Sequence, residues 1–220
     1  PAATGARANP NAPMNDLALF PSEAATWAEA LIHSRRTTLP KRLCGPGPDG
    51  AQRTAILAAA AAAPDHGQLL PWRFIEVPDT QRARLAQAFA DALLARDPAA
   101  SADDLEQARE KAHRAPWLLL VVCRARGGDP EVPAQERLLS AGAALQNMLL
   151  LATAMGLGSG LTSGKALSSQ ALRALFGLHA DEDALCFVNI GHVAQARKAR
   201  PRPPVDTYFS LLSDAPSAPR

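Results

Sequence analysis

Residues Ala62–Phe74 read AAPDHGQLLPWRF, and the way this run breaks and restarts regular structure governs the reading of the whole chain. An alanine-rich stretch precedes it. Pro64 cannot continue a helix and biases Ala63 away from helical geometry. Asp65, His66 and Gly67 are turn residues. Pro71 then opens an extended segment, Trp72–Val77, in which Trp72, Phe74, Ile75 and Val77 favour strand. A helix ends, a polar loop follows, and a strand enters the core. Binding groups are often carried on loops held between rigid elements, and plain connectors with a surface histidine are also common; the stretch alone leaves both open.

The composition bounds the rest. At 220 residues the chain suits one well-buried domain, expected over 21–212, with a flexible extension at 1–20 and a short tail at 213–220. Hydrophobic residues make up 47% and charged residues 20%, a globular balance. A net charge of +2 supplies no global field for nucleic acid. Cys44, Cys123 and Cys186 are odd in number and far apart, which argues against a disulfide framework and for a reducing, cytoplasmic compartment. No secretory signal pattern is visible at the start, and Met14 is a candidate natural start.

Taken in order, Ser22 is placed to cap a helix to about Ser34, with Ala24, Trp27, Ala28, Leu31 and Ile32 on one face. Arg35-Arg36-Thr37 follows. Two arginines past a helix end favour its carbonyls, and they also offer planar forks to a phosphate. Residues 39–49 form a Pro- and Gly-rich loop, and Asp49 with Gln52 resembles a capping box. Helices are expected from Pro78 to about Arg96, over Ala99–Arg114 and over Ser168–Phe176. Trp117–Cys123 (WLLLVVC) and Ala184–Gly191 (ALCFVNIG) read as strands buried on both faces. The helix at Pro133–Met155 is apolar nearly all round. Its length allows a membrane span, but central Gln146 and Asn147, with Ser140 and Gly142, favour a core helix or one shared with a second subunit.

Met155–Gly164 (MGLGSGLTSG) reads as a tight helix-to-strand turn, because its glycines lack the spacing and context of a dinucleotide fingerprint. The five histidines show no metal spacing, no phosphate-binding loop of the nucleotide-triphosphatase type occurs, and no serine has a nucleophile-elbow context.

The order Arg35-Arg36-Thr37, Ala63-Pro64-Asp65-His66-Gly67, Pro71-Trp72-Arg73-Phe74, Ser140-Ala141-Gly142, Leu161-Thr162-Ser163-Gly164 and Asn189-Ile190-Gly191 resembles the FMN-dependent nitroreductase family, in its small branch with an A-P-D-H motif. The resemblance covers about residues 22–212. It implies an α+β fold with a central, mainly antiparallel sheet surrounded by helices. It also implies a homodimer with FMN at the interface and a domain-swapped C-terminal tail, the long apolar helix forming the dimer core. Residue by residue, Arg35, Arg36 and Thr37 match the phosphate and flavin-edge segment, Ala62 and His66 flank the turn that meets the cofactor, and Arg200 falls where the tail meets the phosphate, with Lys198 the alternative. Leu161, Thr162 and Ser163 match a Trp-Arg-Ser segment, so an aromatic and a cation are replaced beside the flavin. The implied activity is a two-step transfer from NAD(P)H through FMN to a small-molecule acceptor such as a nitroaromatic or quinone, with no metal, nucleic acid or membrane partner and no dedicated acid or base. The alternative is a flavin-binding storage or sensor protein with little turnover.

Overall fold

The computed structural model describes residues 23–195 and 201–212. The extension at 1–20, Ser22, Lys198, Arg200 and the 213–220 tail lie outside these described residues. In chain order the elements are α1 (Ala24–Ser34), β1 (Leu43–Cys44), α2 (Gly50–Ala59), β2 (Trp72–Glu76), α3 (Arg82–Arg96), α4 (Ala102–Glu110), β3 (Trp117–Arg124), α5 (Ala134–Ala154), β4 (Gly158–Thr162), α6 (Gln170–Phe176) and β5 (Glu182–Val193).

Every strand pair is antiparallel, so the α+β architecture expected from the sequence holds. β5 is the hub: it pairs with β3, β4 and β1, and β2 adds to the far side of β3. Trp117 lies opposite Ile190, Trp72 opposite Cys123, and Gly160 opposite Asn189. Because side chains alternate across a strand, β3 divides its apolar run between two cores. Trp117, Leu119, Val121 and Cys123 pack with Ile56 of α2 and with Ala141, Ala144 and Met148 of α5. Leu118, Leu120 and Val122 pack with Leu85 of α3 and Leu172 of α6. Both faces are covered, which is why the run reads as continuously apolar.

The local signals explain the helix starts. Asp49 accepts from Gln52 N at 2.8 Å and Gln52 Oε1 accepts from Asp49 N at 3.0 Å, the reciprocal pair expected there. Ser101 and Asp104 close the same box on α4. Ser169 caps α6 by accepting from Leu172 N at 3.2 Å. Two expectations are corrected. The glycine-rich stretch is itself a strand, β4, and the Pro/Gly loop contains the short β1. A strand of Gly158, Ser159 and Gly160 carries no β-propensity; neighbouring backbone selects it.

Apolar area is left uncovered within one chain. α1 has no buried residue, and Trp27 on its expected apolar face is 75% exposed. α5 buries one face, but Leu139 on the other is 73% exposed. Tyr208, Phe209, Leu211 and Leu212 are exposed too. Among the described residues, no helix is long and apolar enough to cross a membrane.

One ion pair anchors the sheet at its base. Glu182, with a side chain only 3% exposed, receives Arg73 Nε at 2.6 Å and Nη2 at 2.7 Å, and His179 N at 3.0 Å. This joins β2 to the start of β5. The Arg73 hydrogen bonds hold the Glu182 carboxyl down at about 2, against the opposing effect of burial. The depressed value means that the stabilisation is complete above the ordinary carboxylate range, ~4.3, and is lost as pH falls towards 2. Thermal melts between pH 5 and pH 2 should therefore show a fall in Tm that Glu182→Gln, already less stable at pH 7, shows to a smaller extent.

Candidate functional site

α1 ends at Ser34, where Arg35 N still donates to Leu31 O at 3.2 Å, and the chain then runs extended. Arg36 Nη1 donates to the His33 carbonyl and, at 3.1 Å, to Arg35 O, so this guanidinium covers the orphan carbonyls of the helix end as well as facing outward. Thr37 forms a parallel bridge with Ser159, and Thr38 N donates to Ser159 O at 2.7 Å. This docking depends on glycine. A Cβ on Gly160 would collide with the Thr38 carbonyl oxygen, and one on Gly158 would crowd Val193. The arginine segment is thereby held against the strand that carries Leu161, Thr162 and Ser163.

The charges around Arg35 are other arginines. Partial burial first, and then Arg202 and Arg36, hold its guanidinium below its ordinary value. Arg202 Nη2 donates to Arg35 O at 3.1 Å, which brings the basic tail to this place. Beside them lies a cavity of about 300 Å³, lined by Arg36 and Arg42, by the hydroxyl-bearing Ser34, Thr37, Thr38 and Thr153, and by glycines; no carboxylate among the described residues lines it. Clustered guanidiniums without a counter-charge are an arrangement that an anion relieves.

Leu161, at the end of β4, is 43% exposed. Thr162 Oγ1 accepts from Asn189 Nδ2 at 3.1 Å. Thr162 and Ser163 line a second, larger cavity of about 490 Å³ against α3 and the turn after α4. Leu39 lines both cavities.

Ala62 and His66 sit elsewhere; both are exposed, and neither lines either cavity. The turn that carries them is tightly made. Asp65 Oδ2 accepts from Leu70 N at 2.7 Å, and Gly67, Gln68 and Leu70 all take positive φ, of 70°, 51° and 46°. Non-glycine residues rarely adopt that conformation, and such strain collects at functional turns. His66 Nδ1 lies 2.6 Å from Glu136 Oε2 in the first turn of α5. The hydrogen bond and charge of Glu136 raise the His66 value above its ordinary one.

The chain therefore holds two groups of expected site residues. Arg35, Arg36, Thr37, Leu161, Thr162 and Ser163 come together along β4, and Ala62 with His66 stands apart near α5. Arg200 lies outside the described residues. Arg202 and Arg42 were not singled out in the sequence. The alternating basic residues of 198–202 carry a signal for the first, and the second hides in a loop whose proline and glycine content dominates its reading.

The Nitroreductase family model matches residues 34–192. The chain belongs to the nitroreductase family. It is 34% identical over 164 residues to the "Putative NAD(P)H nitroreductase" of Haemophilus influenzae, an alignment spanning 74% of this chain and 87% of that protein. It is 32% identical over 165 residues to the protein of Escherichia coli K12 named "Putative NAD(P)H nitroreductase YdjA", covering 74% and 86% of the two chains. Its fold matches the nitroreductase-like family protein of Bacillus cereus with a TM-score of 0.72 at 19% identity, over 84% of this chain and 95% of that one. It also matches the NADPH:FMN oxidoreductase of Vibrio harveyi complexed with NAD+, with a TM-score of 0.64 at 21% identity, over 83% and 76%. The chain is accordingly an oxidoreductase of this family.

Two outcomes follow from the site geometry. Gly160→Ala should destabilise the fold by roughly 1–3 kcal/mol through overpacking, read as a lower urea midpoint, whereas Gly142→Ala, whose Cβ meets nothing within 4 Å, should not. NMR titration of the His66 ring should give a midpoint above ~6.5, and Glu136→Gln should return it to the ordinary range. While Glu136 is ionised, the attraction is complete below the ordinary histidine value and disappears as pH rises through the raised value.

Proposed function

We propose that this chain is an FMN-dependent NAD(P)H oxidoreductase that passes electrons to small nitroaromatic, quinone or similar acceptors in two half-reactions at one site. The observation that carries this reading is the cluster of Arg35, Arg36 and Arg202, with no carboxylate ion pair among the described residues, docked through Thr37 and Thr38 onto β4 beside Leu161–Ser163. The donor set suits a phosphorylated cofactor. Arg36, Arg42 and the hydroxyls of the smaller cavity are fitted to a phosphate and a polyol chain, and Thr37 with Leu161, Thr162 and Ser163 would border a flat ring. When bound, the flavin supplies hydride and electron transfer. Arg35 contributes a fixed positive charge near a group that gains negative charge on reduction, an effect strongest where water is excluded.

Ala62 and His66 enter through a second copy of the chain. They lie apart from the arginine segment in one protomer, and the uncovered Trp27, Leu139 and Leu212 supply apolar area for a homodimer. In that dimer His66, held at Nδ1 by Glu136, would be available through Nε2 to a flavin bound by the partner. The three free cysteines suit the cytoplasm.

The purified protein should be yellow, release FMN at one molecule per chain and elute as a dimer. Arg35→Ala or Arg36→Ala should weaken FMN retention about tenfold or more, the scale of one charge-assisted hydrogen bond. A colourless protein that takes up no added FMN overturns the proposal.

A further inference from the structure

The larger cavity lies on the outer face of the sheet, and a volume of about 490 Å³ is in the range of ordinary small-molecule sites. Its inner wall is apolar and aromatic. Phe89 of α3 and Phe187 of β5 meet edge to face, with ring centroids 5.6 Å apart, and Leu93 and Leu118 complete that wall. Aromatic side chains in this arrangement accept a further flat ring readily.

Its outer wall is cationic. Lys41, Arg96, Lys111, Arg114 and Lys165 converge on it from four separate segments of the chain, and among the described residues no Asp or Glu lines it. Of these, Arg114 has Glu110 at 3.5 Å, an exposed pair that holds it only weakly. Five cations brought to one rim repel each other, and an anion at the mouth reverses the sign of that energy.

A third feature is polar and buried. Asn189, 2% exposed, lines the cavity. Its Nδ2 donates to Gly160 O and Thr162 Oγ1, both at 3.1 Å, and to Phe187 O at 3.4 Å. None of the hydrogen bonds among the described residues uses its Oδ1. That oxygen is not closed off from solvent, and as a free acceptor on the cavity wall it is open to a ligand hydroxyl or amine.

We infer that this cavity binds a small aromatic carboxylate that carries a hydroxyl or amino group on the ring end away from the carboxylate. The ring lies against Phe89 and Phe187, the hydroxyl or amine donates to Asn189 Oδ1, and the carboxylate meets the rim cations. Thr162 and Ser163 border the cavity on the side of the flavin segment, but the inference needs no flavin and goes beyond the reading above.

The test is calorimetric titration of the purified full chain, as isolated, with 4-hydroxybenzoate, with flavin content read from the visible absorbance of the same sample. Saturable binding is expected, weakening as salt is raised. Benzoate, which lacks the donor, and phenol, which lacks the charge, should each bind at least tenfold more weakly. The double variant Lys111→Glu/Lys165→Glu, at two exposed positions, should melt like the parent and lose at least tenfold in affinity. Several results overturn the inference: no binding at millimolar ligand, unchanged affinity in the double variant, equal binding of benzoate, displacement by inorganic phosphate alone, or one-for-one displacement by FMN. A colourless protein that still binds 4-hydroxybenzoate would remove the flavin reading and leave this one standing.

Discussion

The arrangement of this protein hangs on one close backbone approach. Thr38 N donates to Ser159 O at 2.7 Å, and the residues on either side of Ser159 are glycines. Gly160 admits the Thr38 carbonyl where a methyl group would collide with it. Through that contact the segment after α1, with no helix packing of its own to hold it, is fixed to the central sheet. The arginines therefore occupy defined positions, and partial burial with like-charge neighbours sets the state of Arg35. Beyond it, α1 is held by its contact with α5, and the arginine pair by the Arg202 bond to the Arg35 carbonyl and by the chain's continuation into β1 on β5.

Much of the fold could be read from the chain because the signals are local. The capping box at Asp49 and Gln52, the doubly buried run Trp117–Cys123 and the helix stop at Pro64 each need only their neighbours. β4 was hidden for the opposite reason. Its residues are chosen for what they lack, so a strand made of Gly158, Ser159 and Gly160 looks like a turn until the segment that lies on it is known. The site divides in the same way. Arg35, Arg36 and Thr37 were legible through a family resemblance, whereas Arg202 reaches Arg35 across 167 positions of sequence and leaves no local trace. Asn189 stood in a quoted motif, but that its oxygen is left free on a cavity wall is visible only once its nitrogen is seen to be spent on β4.

The A-P-D-H turn shows how polar chemistry can be rigid at the surface. Asp65 closes the turn onto Leu70 N, and Glu136 fixes one nitrogen of the His66 ring. The backbone tolerates two non-glycine residues at positive φ inside that frame. A histidine oriented in this way, with no hydrogen bond to its second nitrogen among the described residues, keeps that nitrogen for a further contact.

The split of β3 between two cores has a consequence for how the protein can change. Odd-numbered residues from Trp117 to Cys123 serve the layer of α2 and α5, and even-numbered ones serve the layer of α3 and α6. Along β3 the two layers share only strand backbone, so side-chain replacements on its opposite faces should combine nearly additively. The aromatic, cation-rimmed hollow lies on the α3 side of the sheet, with Leu39 at its edge shared with the smaller, arginine-lined cavity. Descendants of this sequence can thus drift in ligand preference on one side of the sheet while the architecture of the other stays under selection.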